Sequence, residues 1–185
     1  MQPMPPRLAV FCGSAPGSHP RYLEAAGDFG RAMANRGVGL VYGGASIGLM
    51  RALADAVLLG GAEVDGVMPE FMIQRELLHP TITRAHRVPS MHARKALMAE
   101  LADAFVALPG GWGTLDELFE ILTWRQIRLH DKPVGILNVD GFFDPLLQFV
   151  DHQTREGFVK PPERPRLLVE RDGDTLLSRL FDSAS

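Results

Sequence analysis

The stretch LPGGWGTLDELFE (108–120) joins three glycines and a proline to a helical pattern that carries an acid, Glu117. Glycine-rich loops that lead into a helix are typical of phosphate sites. In such loops the backbone approaches the anion closely, and the free N–H groups of the first helical turn point toward it. The pattern therefore predicts a phosphate cradle with a carboxylate beside it.

The same residues allow a second interpretation that involves no ligand. Thr114 and Glu117 are three residues apart, just before Leu118, Phe119 and Leu122. This is the spacing of a capping box, in which the two side chains satisfy each other's backbone N–H groups. A cap alone does not explain the three glycines, since each glycine costs backbone entropy on folding. Both interpretations use the same N–H groups, so they compete.

Arg94 breaks two local rules in a second predicted helix, 90–101. It lies on the apolar stripe, and it lies in the first turn, where a cation opposes the helix dipole. Such breaks are expected at functional sites, although an arginine that extends to the surface is the commoner case. Lys95 points about 100° away from it. We expect Lys95 to be solvated or to act as a distant phosphate partner.

The elements that must position these residues alternate between short apolar runs and amphipathic segments. This pattern predicts an α/β protein with a Rossmann-like, open, mostly parallel sheet and helices on both faces. The expected strands are 8–12, 39–42, 62–68, 104–108 and 134–139, with a further strand near 82–88. The expected helices are 20–36, 47–59, 90–101, 143–155, 174–181 and the one that follows the 109–114 loop.

Three of the predicted strands end in glycine-bearing loops, 13–14, 43–48 and 109–114. In an open parallel sheet such loops meet at one edge, where ligands bind. No Lys-Ser/Thr follows the glycines, so the loops are not P-loops. The 109–114 loop does not complete G-x-G-x-x-G either, because Asp116 occupies the third glycine position. A single phosphate is therefore expected, and not a dinucleotide or a triphosphate.

Length and composition limit the domain organisation and the partners. With 185 residues and 46% hydrophobic content, the chain predicts one domain, 1–185, with flexible tails at 1–6 and 182–185. A net charge of -3 gives no overall attraction to nucleic acid or to an anionic membrane. No apolar run reaches the roughly 18 residues of a membrane span, and no signal peptide is recognisable. We predict a soluble, cytoplasmic protein that binds a small molecule.

Neither a metal nor a cofactor is expected. The 6 histidines are scattered without an i,i+4 pair, and Cys12, the only cysteine, is expected to be a buried apolar residue. Lysine decarboxylation would require pyridoxal phosphate on a lysine. The lysines are Lys95, Lys132 and Lys160, and none lies in a recognisable cofactor setting.

Two motifs taken together resemble a known family. MHARK (91–95) followed by PGGWGTLDE (109–117) is similar to the paired signature of the Lonely Guy (LOG) family. Its members are cytokinin riboside 5'-monophosphate phosphoribohydrolases, often mislabelled as lysine decarboxylases. The blocks VFCGSAPG, VYGGASIGLM and TWRQIRLHDKPVGILNVDGFF are also similar to family blocks, so the resemblance covers about 7–158. This combination is far more specific than a lone glycine loop.

The resemblance implies a homodimer of Rossmann-like fold that acts without a cofactor. It implies hydrolysis of the N-glycosidic bond of a purine nucleoside 5'-monophosphate, AMP or an N6-isoprenoid AMP, to free base and ribose 5-phosphate. By position, Arg94 and Glu117 would be the catalytic pair. The substrate-binding residues would be Ser14, Gly43, Gly44, Met91, Lys95, Pro109, Gly110, Gly111, Gly113 and Thr114.

The two catalytic candidates suit this chemistry. Glu117 would stabilise positive charge on the ribose, hold its hydroxyls and orient or deprotonate the attacking water. Arg94 would stabilise the negative charge that develops on the leaving purine, or it would hold the substrate in place. The alternative is a non-catalytic nucleotide-binding or carrier protein of the same fold, which needs no carboxylate at position 117.

The chain departs from the family pattern at three positions. Ala45 and Arg51 stand where glycine is common, and Ser90 stands where aspartate is common. These departures leave the catalytic pair intact.

A separate question concerns Trp124, which together with Ile121, Ile127 and Arg128 forms either a dimer face or ordinary packing under the sheet. The residues alone favour neither.

Overall fold

The structure, a computed structural model, describes residues 5–73 and 78–182. Within them, seven parallel strands form one sheet in the order β4-β3-β2-β1-β5-β6-β7. The strands are β1 Arg7–Phe11, β2 Gly39–Tyr42, β3 Val64–Pro69, β4 Arg84–Val88, β5 Ala104–Ala107, β6 Val134–Leu137 and β7 Leu167–Glu170.

Helices connect the strands and cover both faces of the sheet. The helices are α1 Arg21–Asn35, α2 Gly48–Leu59, α3 Glu70–Ile73, α4 Met91–Leu101, α5 Trp112–Gln126, α6 Asp144–Arg155 and α7 Gly173–Phe181. Short 3-10 turns occupy Val139–Gly141 and Arg164–Arg166. No helix of the described ranges is both long and apolar enough to cross a membrane.

Side chains alternate between the two faces of the sheet, as strand geometry requires. In β2, Leu40 and Tyr42 pack with α1, α2 and α7, whereas Val41 packs with α4 and α5 on the opposite face. Both sides are apolar, which is why the strands read as continuous hydrophobic runs. The sheet is thus a rigid central layer between two cores.

β1 lies where the order of the strands reverses. From β1 the chain adds β2, β3 and β4 on one side, then returns to add β5, β6 and β7 on the other. A crevice opens between β1 and β5 at their carboxyl ends, the usual ligand position in such sheets. Gly13 N–H donates to the Pro109 carbonyl at 3.0 Å, and Leu49 N–H donates to the Gly13 carbonyl at 3.1 Å. These bonds tie the three glycine-bearing loops together.

Helix α4 carries Arg94 and begins at a side-chain cap. Ser90 Oγ accepts a hydrogen bond from the Ala93 N–H at 3.1 Å. Serine is a strong N-cap residue, as aspartate is. Ser90 therefore caps the helix at the position where the family commonly has aspartate.

The predicted architecture is confirmed, and the ends of the predicted strands and of the helices with predicted bounds lie within two residues of the observed ones. The prediction omitted α3 and β7. β7 is a partly exposed edge strand directly after the proline-rich segment, which was expected to be a connector. Its place in the sheet comes from pairing with the distant β6, Val134 beside Leu167. Of the predicted tails, 1–4 and 183–185 lie outside the described residues, and the Pro6 carbonyl accepts a hydrogen bond from Gly39 N–H at 2.9 Å.

Candidate active site

A cavity of about 380 Å³ lies over the crevice, at the carboxyl ends of the central strands. Its walls come from the β1 and β2 exits, from α4 and from the start of α5. Eight of the predicted site residues line it, so the structure brings together segments that are far apart in sequence. They are Ser14, Gly43, Met91, Arg94, Gly111, Gly113, Thr114 and Glu117.

The other four predicted residues lie elsewhere. Pro109 and Gly110 line an adjoining cavity of about 230 Å³, which shares Gly111 with the first. Gly44 lines neither cavity, and its φ of 85° is a backbone conformation that favours glycine. Lys95 also lines neither. Its ammonium pairs with two acids of α5, so the expectation of a solvated lysine is wrong.

The start of α5 differs from the capping-box interpretation. The helix begins at Trp112, three residues earlier than a Thr114 cap requires, and its N-cap, Gly111, has no side-chain hydrogen bond. The first intrahelical bond runs from Leu115 N–H to the Gly111 carbonyl, at 3.2 Å. The amides of the preceding turn, including that of Gly113, therefore have no intrahelical acceptor and present donors to an anion.

The glycines of the loops fall into two groups. A Cβ at Gly43 would collide with the Arg94 guanidinium, and one at Gly110 would collide with the Thr114 side chain, so packing requires both glycines. A Cβ at Gly111 or Gly113 would meet no atom within 4 Å. Folding does not explain these two glycines. Their missing side chains keep the approach to the α5 amides open.

Arg94 is buried beside the cavity instead of extending to the surface. Its Nε donates to the Val67 carbonyl at 3.1 Å, and its Nη2 donates to the Gly43 carbonyl at 3.3 Å. Nη1 lies 3.8 Å from Met91 Sδ. Main-chain carbonyls thus fix the guanidinium over the ends of β2 and β3. Because carbonyls carry no full charge, the positive charge of Arg94 is not neutralised by these partners.

Glu117 is partly buried and points into the same cavity. Burial raises its pKa from 4.5 to about 7, while Arg94 opposes this rise and the neighbouring Asp116 adds to it. A carboxyl group that titrates near neutral pH can accept or donate a proton readily under physiological conditions. The proximity of Arg94 and Glu117, expected from the sequence, is thus present in the structure.

Sequence reasoning missed several residues of the cavity wall. Met50 and Met72 join the predicted Met91, and Trp112 lies at the mouth. Met50 belongs to the quoted VYGGASIGLM block, whereas Met72 lies in the unpredicted α3 and gave no signal. Cys12 also lines the wall. Burial raises the pKa of its thiol well above the usual value, so it stays protonated and is a poor nucleophile.

The lysines lie apart from the cavity. Lys132 Nζ donates to the carbonyls of Ala99 and Ala102, at 2.7 and 2.6 Å, and Lys160 is exposed. Together with Lys95 they account for the chain's lysines. None is placed to form a Schiff base with a molecule in the cavity.

An all-parallel sheet with a cavity over its reversal point defines a Rossmann-like α/β protein. Solved structures agree on the fold. The molybdenum cofactor binding protein of Rippkaea orientalis matches with a TM-score of 0.74 at 19% identity, over 98% of both chains. The Moco carrier protein of Chlamydomonas reinhardtii matches with a TM-score of 0.73 at 20% identity, over 96% of both.

Sequence comparison identifies the family. The model described as "Possible lysine decarboxylase" matches residues 50–180. A probable cytokinin riboside 5'-monophosphate phosphoribohydrolase of Oryza sativa subsp. japonica is 50% identical, over 94% of this chain and 71% of that protein. A cytokinin riboside 5'-monophosphate phosphoribohydrolase of Arabidopsis thaliana is 46% identical, over 96% of this chain and 83% of that protein. The chain belongs to this family, the LOG family.

Proposed function

We propose that the chain hydrolyses the N-glycosidic bond of a purine nucleoside 5'-monophosphate and releases free base and ribose 5-phosphate. The observation that carries the proposal is the arrangement around α5. Its open amides at Gly111 and Gly113 and its carboxylate at Glu117 line one cavity, with Arg94 on the facing helix. The names of the relatives at 46 to 50% identity describe this activity.

The phosphate docks on the amides at the start of α5. The free N–H groups and the helix dipole both favour an anion there. Thr114 is buried in the same turn and lines the cavity, so its hydroxyl is placed to add a further donor. Binding energy from the phosphate then positions the sugar, which is why a free nucleoside should react poorly.

Glu117 acts on the ribose and on the attacking water. The water oxygen bonds to C1', the bond from C1' to the purine nitrogen breaks with its electron pair passing to the base, and the proton released by water ends on the base. Ionised Glu117 stabilises the positive charge that develops on the sugar and accepts the proton of the water. Protonated Glu117 then gives up this proton, which ends on the base, so that the carboxylate is restored. Fixed by main-chain carbonyls, Arg94 faces the negative charge of the substrate.

The methionines suggest how the purine is accommodated. Met50, Met72 and Met91 line the same cavity as the α5 amides. Flexible thioether side chains adapt to groups of different shape and contact aromatic rings favourably. We propose that they contact the base and tolerate both adenine and an N6-isoprenoid adenine, so that AMP and its N6-modified forms are both substrates.

We also propose a homodimer formed through the exposed face of α5. Trp112 is 88% exposed and Ile127 is 59% exposed, and Phe119 lies on the same helix with part of its ring in solvent. Exposed apolar groups of this size on one helix mark an interaction surface. Ile121, by contrast, is buried in the core. Light scattering should give a mass near twice 20.3 kDa, and Ile127→Glu should lower it.

We also propose a cytoplasmic location. The single cysteine cannot form an internal disulfide, and such chains are common where thiols are kept reduced. Fractionation of cells that make the protein, followed by detection with an antibody, tests this directly.

One incubation tests the proposed reaction. The protein is mixed with AMP, isopentenyladenosine 5'-monophosphate or adenosine, and free base and ribose 5-phosphate are measured by chromatography. Both nucleotides should release base, and adenosine should release little. Tight binding of both nucleotides without release of base would contradict hydrolysis and favour a carrier.

A further inference from the structure

Lys95 links the two helices that carry Arg94 and Glu117. Its ammonium lies 3.1 Å from Asp116 Oδ2 and 2.9 Å from Glu120 Oε2, and its side chain is only 13% exposed. In sequence it directly follows Arg94 on α4. The contacts therefore join α4 to α5 immediately beside the cavity, although Lys95 does not line that cavity.

The two acids that Lys95 contacts are neighbours of Glu117 on α5. Asp116 precedes Glu117, and Glu120 follows it by three residues, so one helical turn carries three carboxylates. Asp116 and Glu120 both raise the pKa of Glu117, whereas Arg94 and Lys95 lower it. Glu117 in turn adds to the effect of burial in raising the pKa of Cys12, which follows β1.

Lys95 remains protonated because of its two acidic partners. Burial disfavours the ammonium, but Glu120 and Asp116 outweigh burial and raise the pKa of Lys95 above its ordinary value. Lys95 is therefore positive throughout the pH range in which Glu117 titrates. One cation thus offsets part of the negative charge of two acids and also acts on the third.

We propose that Lys95 is a positioning residue for the reaction, which favours the ionised form of Glu117 and aligns it with Arg94 by pairing with Asp116 and Glu120, and that it is not a phosphate ligand. The proposal rests on the proposed function for its kinetic test. It also deepens that function, because it assigns the ionisation of the reacting carboxylate to a contact between α4 and α5.

The test compares the pH dependence of kcat, between pH 5 and 9, in variants that break the same ion pairs from opposite sides. Lys95→Met removes the cation and exposes Glu117 to two acids. The acid limb, the part of the profile where kcat falls at low pH, should therefore have its midpoint moved up by about 0.5 to 1 pH unit. Asp116→Asn removes a repelling carboxylate, so the limb should move down. Lys95→Arg should restore the limb to within about 0.3 unit of the wild type.

The opposite signs separate this role from a structural one. If the ion pairs only hold the helices together, both variants lower kcat while the limb stays in place, and the proposal is wrong. If Lys95 binds phosphate, Lys95→Met raises KM for the nucleotide without moving the limb, which also overturns it. Lys160→Met removes an exposed lysine and controls for the change in net charge. Thermal unfolding of each variant confirms that it is folded.

A second measurement is independent of catalysis. NMR titration of the Glu117 side-chain carbon, assigned by its absence in Glu117→Gln, gives the ionisation midpoint in the free protein. Lys95→Met should raise the midpoint and Asp116→Asn should lower it. If the wild type releases no base but the midpoints move as stated, hydrolysis fails while the electrostatic role of Lys95 stands. Unmoved midpoints overturn the role even if base is released.

Discussion

Carboxylates at the two ends of the sheet have opposite properties. At the amino end, Asp65 is 1% exposed and bonds to Arg84 Nε at 2.7 Å and to His86 Nε2 at 2.8 Å, with Arg7 Nε at 3.7 Å. Burial alone would raise the pKa of Asp65, but Arg84, His86 and Arg7 outweigh it and leave the pKa below its ordinary value. The pKa of Glu117, at the carboxyl end, rises to about 7.

The difference lies in the partners and not in the burial. Asp65 has direct hydrogen bonds from charged or ionisable groups, so its charged form is stable and it joins β3 to β4. Glu117 has Arg94 and Lys95 only as nearby charges, and two acids on its own helix oppose them. A fully satisfied carboxylate stabilises the fold, whereas one left partly unsatisfied in a cavity is available for chemistry. Four predictions test this contrast.

The largest expected effect is on turnover. Glu117→Gln keeps the shape of the side chain but removes its charge and its basicity. We expect kcat for base release from AMP to fall by on the order of 10²-fold or more, the scale usual for acid–base groups. Asp65→Asn, far from the cavity, should retain most of the activity. A near-normal rate in Glu117→Gln would remove Glu117 from the mechanism.

Asp65→Asn should instead lower stability. Loss of its charge leaves Arg84 and Arg7 without their buried partner, at a cost of about 2 kcal/mol, below the cost for a fully buried pair because Arg84 is partly exposed. Since the folded pKa of Asp65 is lowered, this stabilisation is present above its ordinary value of 3.8 and is lost as the pH falls below that value. Urea unfolding at pH 7 and pH 3 measures it. An equal loss at both pH values would show that the charge is not responsible.

Glu117→Gln should change stability with the opposite sign. The raised pKa of Glu117 means that its contribution to stability is full below about 4.5 and is lost as the pH rises through about 7. At pH 8 the variant should therefore be more stable than the wild type by about 1 to 3 kcal/mol, and below pH 4.5 the difference should vanish. Urea titrations of both proteins at the two pH values give the comparison. A destabilised variant at pH 8 would mean that ionised Glu117 is already satisfied by its surroundings.

The two kinds of glycine in the 109–114 loop should respond differently to substitution. Gly113→Ala should raise KM for AMP several-fold, because its methyl group occupies the approach to the α5 amides, with little loss of stability. Gly110→Ala should lower stability by about 1 to 3 kcal/mol, because its methyl group collides with Thr114. Thermal unfolding and substrate kinetics on both variants distinguish them. A Gly113→Ala protein with an unchanged KM would place the phosphate elsewhere.

Much of the fold follows from local patterns in the sequence. The buried strands read as apolar runs because both faces of the sheet are covered, and a clear 3.6-residue period is present in α1, α2, α6 and α7. β7 was not predicted because it directly follows the proline-rich segment and is only partly buried, unlike the equally short β2, β5 and β6. Pairing with β6 decides its position, which is a tertiary effect.

The site was predictable where a residue broke a local rule. Arg94 on an apolar stripe and the glycines of the 109–114 loop were such cases, and Arg94, Gly111 and Gly113 line one cavity. Lys95 was misjudged because its partners, Asp116 and Glu120, belong to a different helix, and a helical projection of α4 alone does not contain them. The start of α5 was misjudged because Thr114 packs against Gly110 instead of capping the helix.

The bonds from Gly13 to Pro109 and from Leu49 to Gly13 join the three loops through main-chain atoms alone. Most substitutions leave the main-chain N–H and C=O groups in place. Side chains around the cavity opening can therefore be replaced without loss of the hydrogen bonds that hold the loops together. Substitution of the methionines that we propose to contact the purine would then change the preference for the base. The main-chain arrangement that we propose to bind the phosphate would stay the same.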